Sequence, residues 1–295
     1  MIGVVFNPHA GQGKAGKHLR DLQEELERIA PGNWRIASTK GKGDASRLAA
    51  EFKEDGAEVV AAAGGDGTLT ECLQTIHGSG VPLALLPFGT GNDFGRQIGV
   101  RTIEDGVRAL VERTIVNVDV GMAGDHLYLD TFACGFDSAV GQRVNEGYRF
   151  LSGTSAYLAA VVSTLRTYRA AKIEIKLDDT TWSGQAMLVT VANCRTYGGG
   201  LKVAPRASIT DGMLDVIVVE AMSPVRFLTQ FPKVMRGTHI DLPDVHCWQA
   251  KRVVISADPG VCWMTDGELR QMTPVVIEGR WASQPFCVPR SSQHL

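Results

Sequence analysis

The chain has 295 residues, of which 44% are apolar and 21% charged, and its formal net charge is -2. That balance excludes fibrous and disordered classes, and the length leads to an expectation of two domains, each able to bury its own core. A near-neutral chain without a basic stripe is not a nucleic-acid binder, so any hold on a nucleotide phosphate must be local: backbone amides, one or two cations and a metal.

The first part alternates strand and helix. Ile2–Phe6 is a short apolar strand, and Leu19, Leu22, Leu26 and Ile29 at three- and four-residue spacing predict a helix that Pro31-Gly32 ends. Trp34–Ser38 is the next strand, and Asp44 is placed to cap a helix carrying Leu48, Ala49 and Phe52. Val59–Ala63 is apolar on both faces, which predicts a buried strand of a parallel sheet. Leu69–Ile76 reads as a helix and Leu83–Leu86 as a fourth strand. Strands separated by such helices imply a doubly wound α/β domain.

From about Ile115 the pattern changes. Val116–Val120, Leu127–Phe132, Lys172–Leu177, Ala186–Ala192, Leu214–Val219, Arg252–Ser256, Val261–Met264 and Val275–Ile277 all look like strands, interrupted chiefly by helical patterns at Tyr157–Tyr168 and Val225–Met235. An antiparallel β domain is expected here. The six cysteines form no Cys-x-x-Cys pair, which points to reduced structural thiols in a cytosolic protein. Met1–Phe6 lacks a basic n-region and no stretch approaches ~18 uncharged apolar residues, so neither a signal peptide nor a membrane-spanning helix is expected.

Chemistry concentrates in a few glycine-rich segments. Gly64-Gly65-Asp66-Gly67-Thr68 follows the buried strand and opens a helix. Glycines let the backbone approach phosphate oxygens, the helix start offers unpaired N–H groups, and Asp66 is placed to hold Mg²⁺. Pro87–Phe94 repeats the arrangement after the next strand, which sets both loops at the carboxyl edge of one sheet. Gly11–Lys17 nearly spells a P-loop, but His18 stands where the magnesium-binding hydroxyl belongs. It reads instead as a wall of the nucleotide site, with Lys14 or Lys17 near phosphate, or as a solvated basic turn. Asp266-Gly267-Glu268 is both a hairpin signal and a pair of carboxylates able to engage a substrate hydroxyl. Asp211–Asp215 is a turn before a strand that offers oxygen ligands to a hard cation.

Asn7-Pro8, Thr39 with Gly43-Asp44-Ala45, Gly64–Thr68 followed by Glu71, Pro87–Arg96, Asn193 with Gly198-Gly199-Gly200, Asp211–Asp215 and Asp266-Gly267-Glu268 occur in that order. Along nearly its whole length the chain thereby resembles the diacylglycerol kinase catalytic family, in particular the bacterial soluble lipid kinases, which also resemble sphingosine and ceramide kinases. The resemblance implies an NAD kinase-like α/β nucleotide domain over residues 1–118 and a β-sandwich lipid-substrate domain over 119–280. The tail, 281–295, would pack back on the first domain, and the active site would lie in the cleft.

For the site, the resemblance implies ATP contacts at Asn7, Thr39, Gly64, Gly65, Asp66, Gly67, Thr68, Thr70 and Thr90. Asp66 would hold the catalytic Mg²⁺ through ATP. Asp266 would be the proton acceptor facing the lipid hydroxyl, with Glu268 close by. A second, structural Mg²⁺ would sit on Asp211 and the carbonyls of Ser208 and Met213, and a charged network linking the domains would map to Lys14, Asp93 and Asp119. Thr70 stands where the family often has Asn, and His9 where small residues are usual. The expected function is an ATP- and Mg²⁺-dependent kinase for the hydroxyl of a diacylglycerol-like lipid. Its alternatives are an NAD kinase-like enzyme, or a kinase for phosphatidylglycerol or a sphingoid base.

The expected partners are ATP and a membrane lipid, met through transient peripheral contact at the inner face of the membrane by a cytoplasmic protein. A homodimer is left open. Pro224–Gly237, apolar with Arg226, Lys233 and Arg236, suits an anionic surface, although packing on the β domain is the plainer reading.

Overall fold

The computed structural model describes residues 1–147 and 154–295. The chain divides into two compact units: Met1–Val120 with Ser208–Gly212 and Arg280–Leu295, and Gly121–Ala207 with Met213–Gly279.

The first unit runs β1 (Ile2–Phe6), the irregular turn α1 (Ala10–Gly13), α2 (Leu19–Ile29), β2 (Trp34–Ser38), α3 (Asp44–Glu54), β3 (Val59–Gly64), α4 (Asp66–Ile76), β4 (Leu83–Pro87), α5 (Asp93–Gln97), α6 (Ile103–Glu112) and the start of β5 (Thr114–Ala123). Its sheet is parallel, in the order β2-β1-β3-β4. β3 (VVAAAG) is buried along its whole length, as expected of a strand covered on both faces. The helices close over the sheet through buried stripes, Leu22 and Leu26 of α2 and Leu48, Ala49 and Phe52 of α3 among them. Stepping from β1 to β2 on one side and to β3 on the other makes a topological switch point, where ligands of such sheets bind at the strands' carboxyl ends.

The second unit continues with β6 (His126–Tyr128), β7 (Thr131–Gly135), α7 (Phe136–Gly147), α8 (Thr154–Thr167), β8 (Ala171–Leu177), β9 (Thr180–Ala192), β10 (Leu214–Glu220), α9 (Pro224–Arg236), β11 (Val245–Ala250), β12 (Arg252–Asp258), β13 (Cys262–Thr265), β14 (Glu268–Met272) and β15 (Val275–Val288), whose last residues belong to the first unit. Its ladders are antiparallel. Long β9 joins β7, β8 and β10, while β8 continues to β12 and β7 to β13. The alternation in β8 places Ile173, Ile175 and Leu177 in a core shared with Val189, Val253 and Trp263. In the first unit β15 runs parallel to β4, with Phe286 beside Leu83.

Several details differ from the sequence expectation, the unexpected strands β11 and β14 among them. Leu127–Phe132 is not one strand: β6 and β7 are separated at Leu129-Asp130, whose N–H groups go to the Asp266 carboxylate. Asp44 does not cap α3; Gly43 holds the N-cap in the left-handed region, Asp44 is the first helical residue, and Glu71 accepts from Gly43 and Ala45 N–H at 3.0 and 3.1 Å. The last strand extends to Val288, far past Ile277. α6 and α7 were not anticipated. The Thr102–Asp105 capping box of α6 is a readable signal, whereas α7 has only a weak apolar stripe.

Candidate active site

In the first unit the parallel strands deliver residues to one edge: Asn7 after β1, Thr39 after β2, Gly64–Thr68 across the junction of β3 and α4, and Phe88–Asn92 between β4 and α5. The two glycine loops are joined backbone to backbone. Phe88 and Gly89 N–H both donate to Gly64 O, at 2.8 and 3.1 Å. A Cβ on Gly89 would stand 2.5 Å from Gly65 Cα, so neither loop can carry a side chain there without moving the other. Asn92, at φ 50°, donates from its amide to Gly89 O at 2.8 Å and fixes the second loop.

Asp66 opens α4, and its Oδ2 accepts the Asp93 N–H at 3.2 Å. One carboxylate thus ties the start of α5 to the first glycine loop. Asp93 in turn pairs with Arg96 at 2.6 Å. Asn7 Nδ2 donates to Thr68 Oγ1 at 3.0 Å, and Thr39 N–H to Phe6 O at 2.8 Å. Thr39, Thr68 and Thr70 are buried, whereas Asn7, Gly65 and Asp66 are half-buried and Gly67 and Thr90 exposed. The buried threonines shape the loop, and the amides, Asp66 and Thr90 form its open rim.

Gly11–Lys17 is not a P-loop. Gly11 and Gln12 are left-handed, and the turn folds against Phe88 to leave a cavity of about 440 Å³ lined by Lys14, His18, Phe88, Thr90 and Ile103. Lys14 is in that lining and Lys17 is not. Lys14, Asp93 and Asp119 all belong to the first unit. Asp119, on β5, accepts from Gly212 N–H at 2.7 Å and Ala282 N–H at 2.6 Å. Burial pushes its carboxyl above the usual range, those two bonds oppose the shift, and the charge of Asp211 adds to it. Ser208 lies in the same short segment as Asp211, its hydroxyl 3.3 Å from that of Thr210, and Met213 begins the later stretch of the second unit. Among the described residues no three His, Cys, Asp or Glu side chains gather as a metal cage.

In the second unit Asp266-Gly267 is a two-residue turn between β13 and β14, with both residues at positive φ, 46° and 79°. That is the conformation Asp-Gly favours in hairpins. The carboxylate is far from idle: Oδ2 accepts Leu129 N–H at 3.0 Å, and Oδ1 accepts Asp130 and Thr131 N–H at 3.0 and 3.1 Å. Asn193 braces the same segment, donating from its amide to Leu129 O at 2.8 Å and from its backbone to Asp130 O at 2.9 Å. Glu268 pairs with Arg270 at 3.1 Å, and Arg270 Nε donates to Thr265 Oγ1 at 3.1 Å. Sequence reasoning missed Asp130, a buried acid one bond from this turn. Its only signal was an aspartate interrupting an apolar run.

Residues 1–123 match the model of the diacylglycerol kinase catalytic domain, and residues 131–289 that of the YegS C-terminal NAD kinase beta sandwich-like domain. A diacylglycerol kinase of Mycobacterium tuberculosis is 31% identical, over 98% of this chain and 95% of its own length. A Pseudomonas putida protein named "Probable lipid kinase YegS-like" is 35% identical, over 93% and 94%. A crystal structure of a diacylglycerol kinase from Bacillus anthracis superposes with a TM-score of 0.80 at 27% identity, covering 98% of this chain and 97% of that one.

Proposed function

The chain belongs to the diacylglycerol kinase catalytic domain family and is a lipid kinase, and from that premise we propose that it phosphorylates the free hydroxyl of a diacylglycerol-like lipid. In this reaction the bond from the γ-phosphorus to the bridging oxygen of ATP breaks, the lipid oxygen takes the phosphoryl group, ADP leaves, and the hydroxyl proton is released. The observation that carries the nucleotide half is the Gly65–Gly89 contact. Two amide-bearing loops closed on each other at the carboxyl edge of the parallel sheet form a cradle for phosphate oxygens.

The first unit is assigned to ATP, with Gly64, Gly65, Gly67 and Thr90 at the phosphates, Asn7 and Thr68 bracing them, and Thr39 and Thr70 behind. Lys14 is preferred over Lys17 as the phosphate-side cation because it lines the cavity next to Thr90. Mg²⁺ fits here without a three-residue cage, since nucleotide-bound Mg²⁺ needs only one or two carboxylates. Asp66, half-buried at the rim, would hold it, and the ion would neutralise charge on the β- and γ-phosphates. Asp211 is assigned to a second Mg²⁺ together with the carbonyl of Ser208. The negative charge of Asp211 close to Asp119 supports a cation there.

The second unit is assigned to the lipid. Asp266 is held in place by three N–H donors on its carboxylate, and phosphoryl transfer through a loose transition state makes little demand for early proton removal. Its role is to orient the lipid oxygen and receive its proton late, with Glu268 nearby. α9 is assigned to the membrane. It has no acidic residue, and it exposes Val225, Leu228 and Met235 beside Lys233 and Arg236, which suits an anionic bilayer.

The test is incubation with γ-labelled ATP and, separately, dioleoylglycerol, a total lipid extract and NAD. Label in an organic-soluble phosphate ester is expected. Label in NAD alone, or ATP binding with no labelled lipid, would overturn the reading.

A further inference from the structure

The link between β9 and β10 carries a motif that none of the steps above uses. Gly198-Gly199-Gly200, all at positive φ, form the tip of a hairpin in which Tyr197 and Leu201 exchange backbone hydrogen bonds at 3.1 and 3.0 Å. Gly198, Gly199 and the following Lys202 are exposed. Arg195 Nε donates to Ala207 O at 3.0 Å, which closes residues 193–207 into one loop.

That loop lies against the end of α9. A Cβ on Gly237, the C-cap of α9, would stand 3.0 Å from Pro205 Cβ and 3.5 Å from Lys202 Cβ, and His239 Nε2 is 2.9 Å from Val203 O. The contact joins two stretches of one sign. Residues 193–207 hold Arg195, Lys202 and Arg206, and residues 221–240 hold Arg226, Lys233 and Arg236. Neither stretch contains a carboxylate, in a chain whose acids outnumber its Lys and Arg by 32 to 30. Among the described residues two acids from outside answer them. Asp244 pairs with Arg226, and Asp241, itself 71% exposed, is 3.9 Å from Arg206, a pair too long and too wet to contribute much. The negative end of the α9 dipole accounts for Lys233 and Arg236. It does not account for Lys202 and Arg206, which stand on another segment.

The cations adjoin α9, whose Leu228, Phe231 and Met235 are 47%, 37% and 59% exposed. Apolar side chains beside unbalanced cations match a bilayer, with its acyl boundary and its phosphates. A soluble polyanion would leave the apolar side chains in water. We propose that residues 193–207 form the headgroup-binding half of a membrane face, with Lys202 and Arg206 on the phosphates of an anionic bilayer and α9 as the apolar half. The proposal rests on the assignment of α9 to the membrane and extends it to a separate segment. The glycine tip lets the main chain approach phosphate oxygens with no side chain between.

The probes are phosphatidylcholine vesicles with and without phosphatidylglycerol, and the readout is co-sedimentation of the full chain. Lys202→Gln/Arg206→Gln should weaken binding to the anionic vesicles about thirtyfold, from ~1 kcal/mol for each cation near the surface, and added salt should shrink the difference. Lys172→Gln/Lys176→Gln removes two exposed cations of β8 in the same unit and changes net charge equally; it should bind as the wild type does. Turnover of a short-chain, monomeric lipid should be unchanged in both, and equal urea midpoints check that both fold. Wild-type binding by the Lys202/Arg206 variant, or an equal loss in the two variants, overturns the proposal. A loss in that variant with none on replacing the exposed apolar residues of α9 by serine would sink the α9 assignment and leave residues 193–207 as the contact. A wild type that ignores anionic vesicles would sink both.

Discussion

At the scale of single residues, Asp266 is the most constrained acid in the second unit. A carboxylate offers about four acceptor positions, and three are taken by the N–H groups of Leu129, Asp130 and Thr131. It is a strut, and under the proposed function it is also the group that meets the lipid hydroxyl; the two roles separate by substitution. Asp266→Ala should lower stability by about 3 kcal/mol, by stranding those donors, and lower kcat by about 10²–10⁴ with ATP affinity little changed. Asp266→Asn keeps an oxygen for Asp130 and Thr131 but turns an amide toward Leu129 N–H, so its stability loss should be about half as large. Urea midpoints and single-turnover rates read the two effects independently; identical midpoints for the two variants would remove the strut.

Asp137 is constrained by burial instead. Burial pushes its carboxyl up to about 6, against the pull of the Tyr197 hydroxyl, while an unfolded aspartate titrates near ~3.9. The folded state therefore holds the proton to higher pH than the unfolded chain does. Its stabilising contribution is complete below about pH 4 and is lost as pH rises through about 6. Asp137→Asn should lack this decline, so its unfolding midpoint should overtake the wild type's between pH 4 and 7. Parallel pH profiles would place the carboxyl's titration elsewhere.

At the scale of elements, what could be read from the sequence was what burial periodicity writes. β8 alternates without a fault, β3 is a run of small apolar residues, and α2 and α3 bury stripes at helical spacing. The glycine loops were readable because a strand–Gly–helix junction constrains residue type strongly. What was hidden depends on partners far along the chain. Glu71 replaces Asp44 as the acceptor at the start of α3, and Leu129-Asp130 leaves the ladder because an aspartate 136 positions later takes the Asp130 N–H.

The loop-on-loop contact gives its own prediction. Gly89→Ala puts a Cβ 2.5 Å from Gly65 Cα and 2.6 Å from Asn92 Oδ1. It should cost about 1–3 kcal/mol in stability and raise the KM for ATP. Gly67→Ala, whose Cβ would meet nothing within 4 Å, should keep wild-type stability. Equal thermal midpoints for the two variants would refute the close-approach argument.

At the scale of the whole molecule, a lipid kinase needs a way to its substrate, and no helix among the described residues is long and apolar enough to cross a membrane. The sequence placed apolar and basic residues together in Pro224–Gly237 but could not say which faced outward. In the structure Phe227 turns inward, its ring 5.0 Å from that of Phe136, while Val225 is 73% and Met235 59% exposed. Arg226 is engaged with Asp244, so Lys233 and Arg236 supply the charge, at ~1 kcal/mol each near an anionic surface. Replacing Val225, Leu228 and Met235 by serine should weaken co-sedimentation with phosphatidylglycerol vesicles by about tenfold or more. Turnover of a short-chain, monomeric lipid should be unchanged, because the inner face of α9 is left as it was. Phe227→Ser should do the reverse, disturbing the packing on Phe136 more than vesicle binding. Added salt should loosen the wild type, and more so on anionic vesicles than on zwitterionic ones. If the triple serine variant sediments with anionic vesicles as the wild type does, α9 is a packed surface helix and the membrane is met elsewhere.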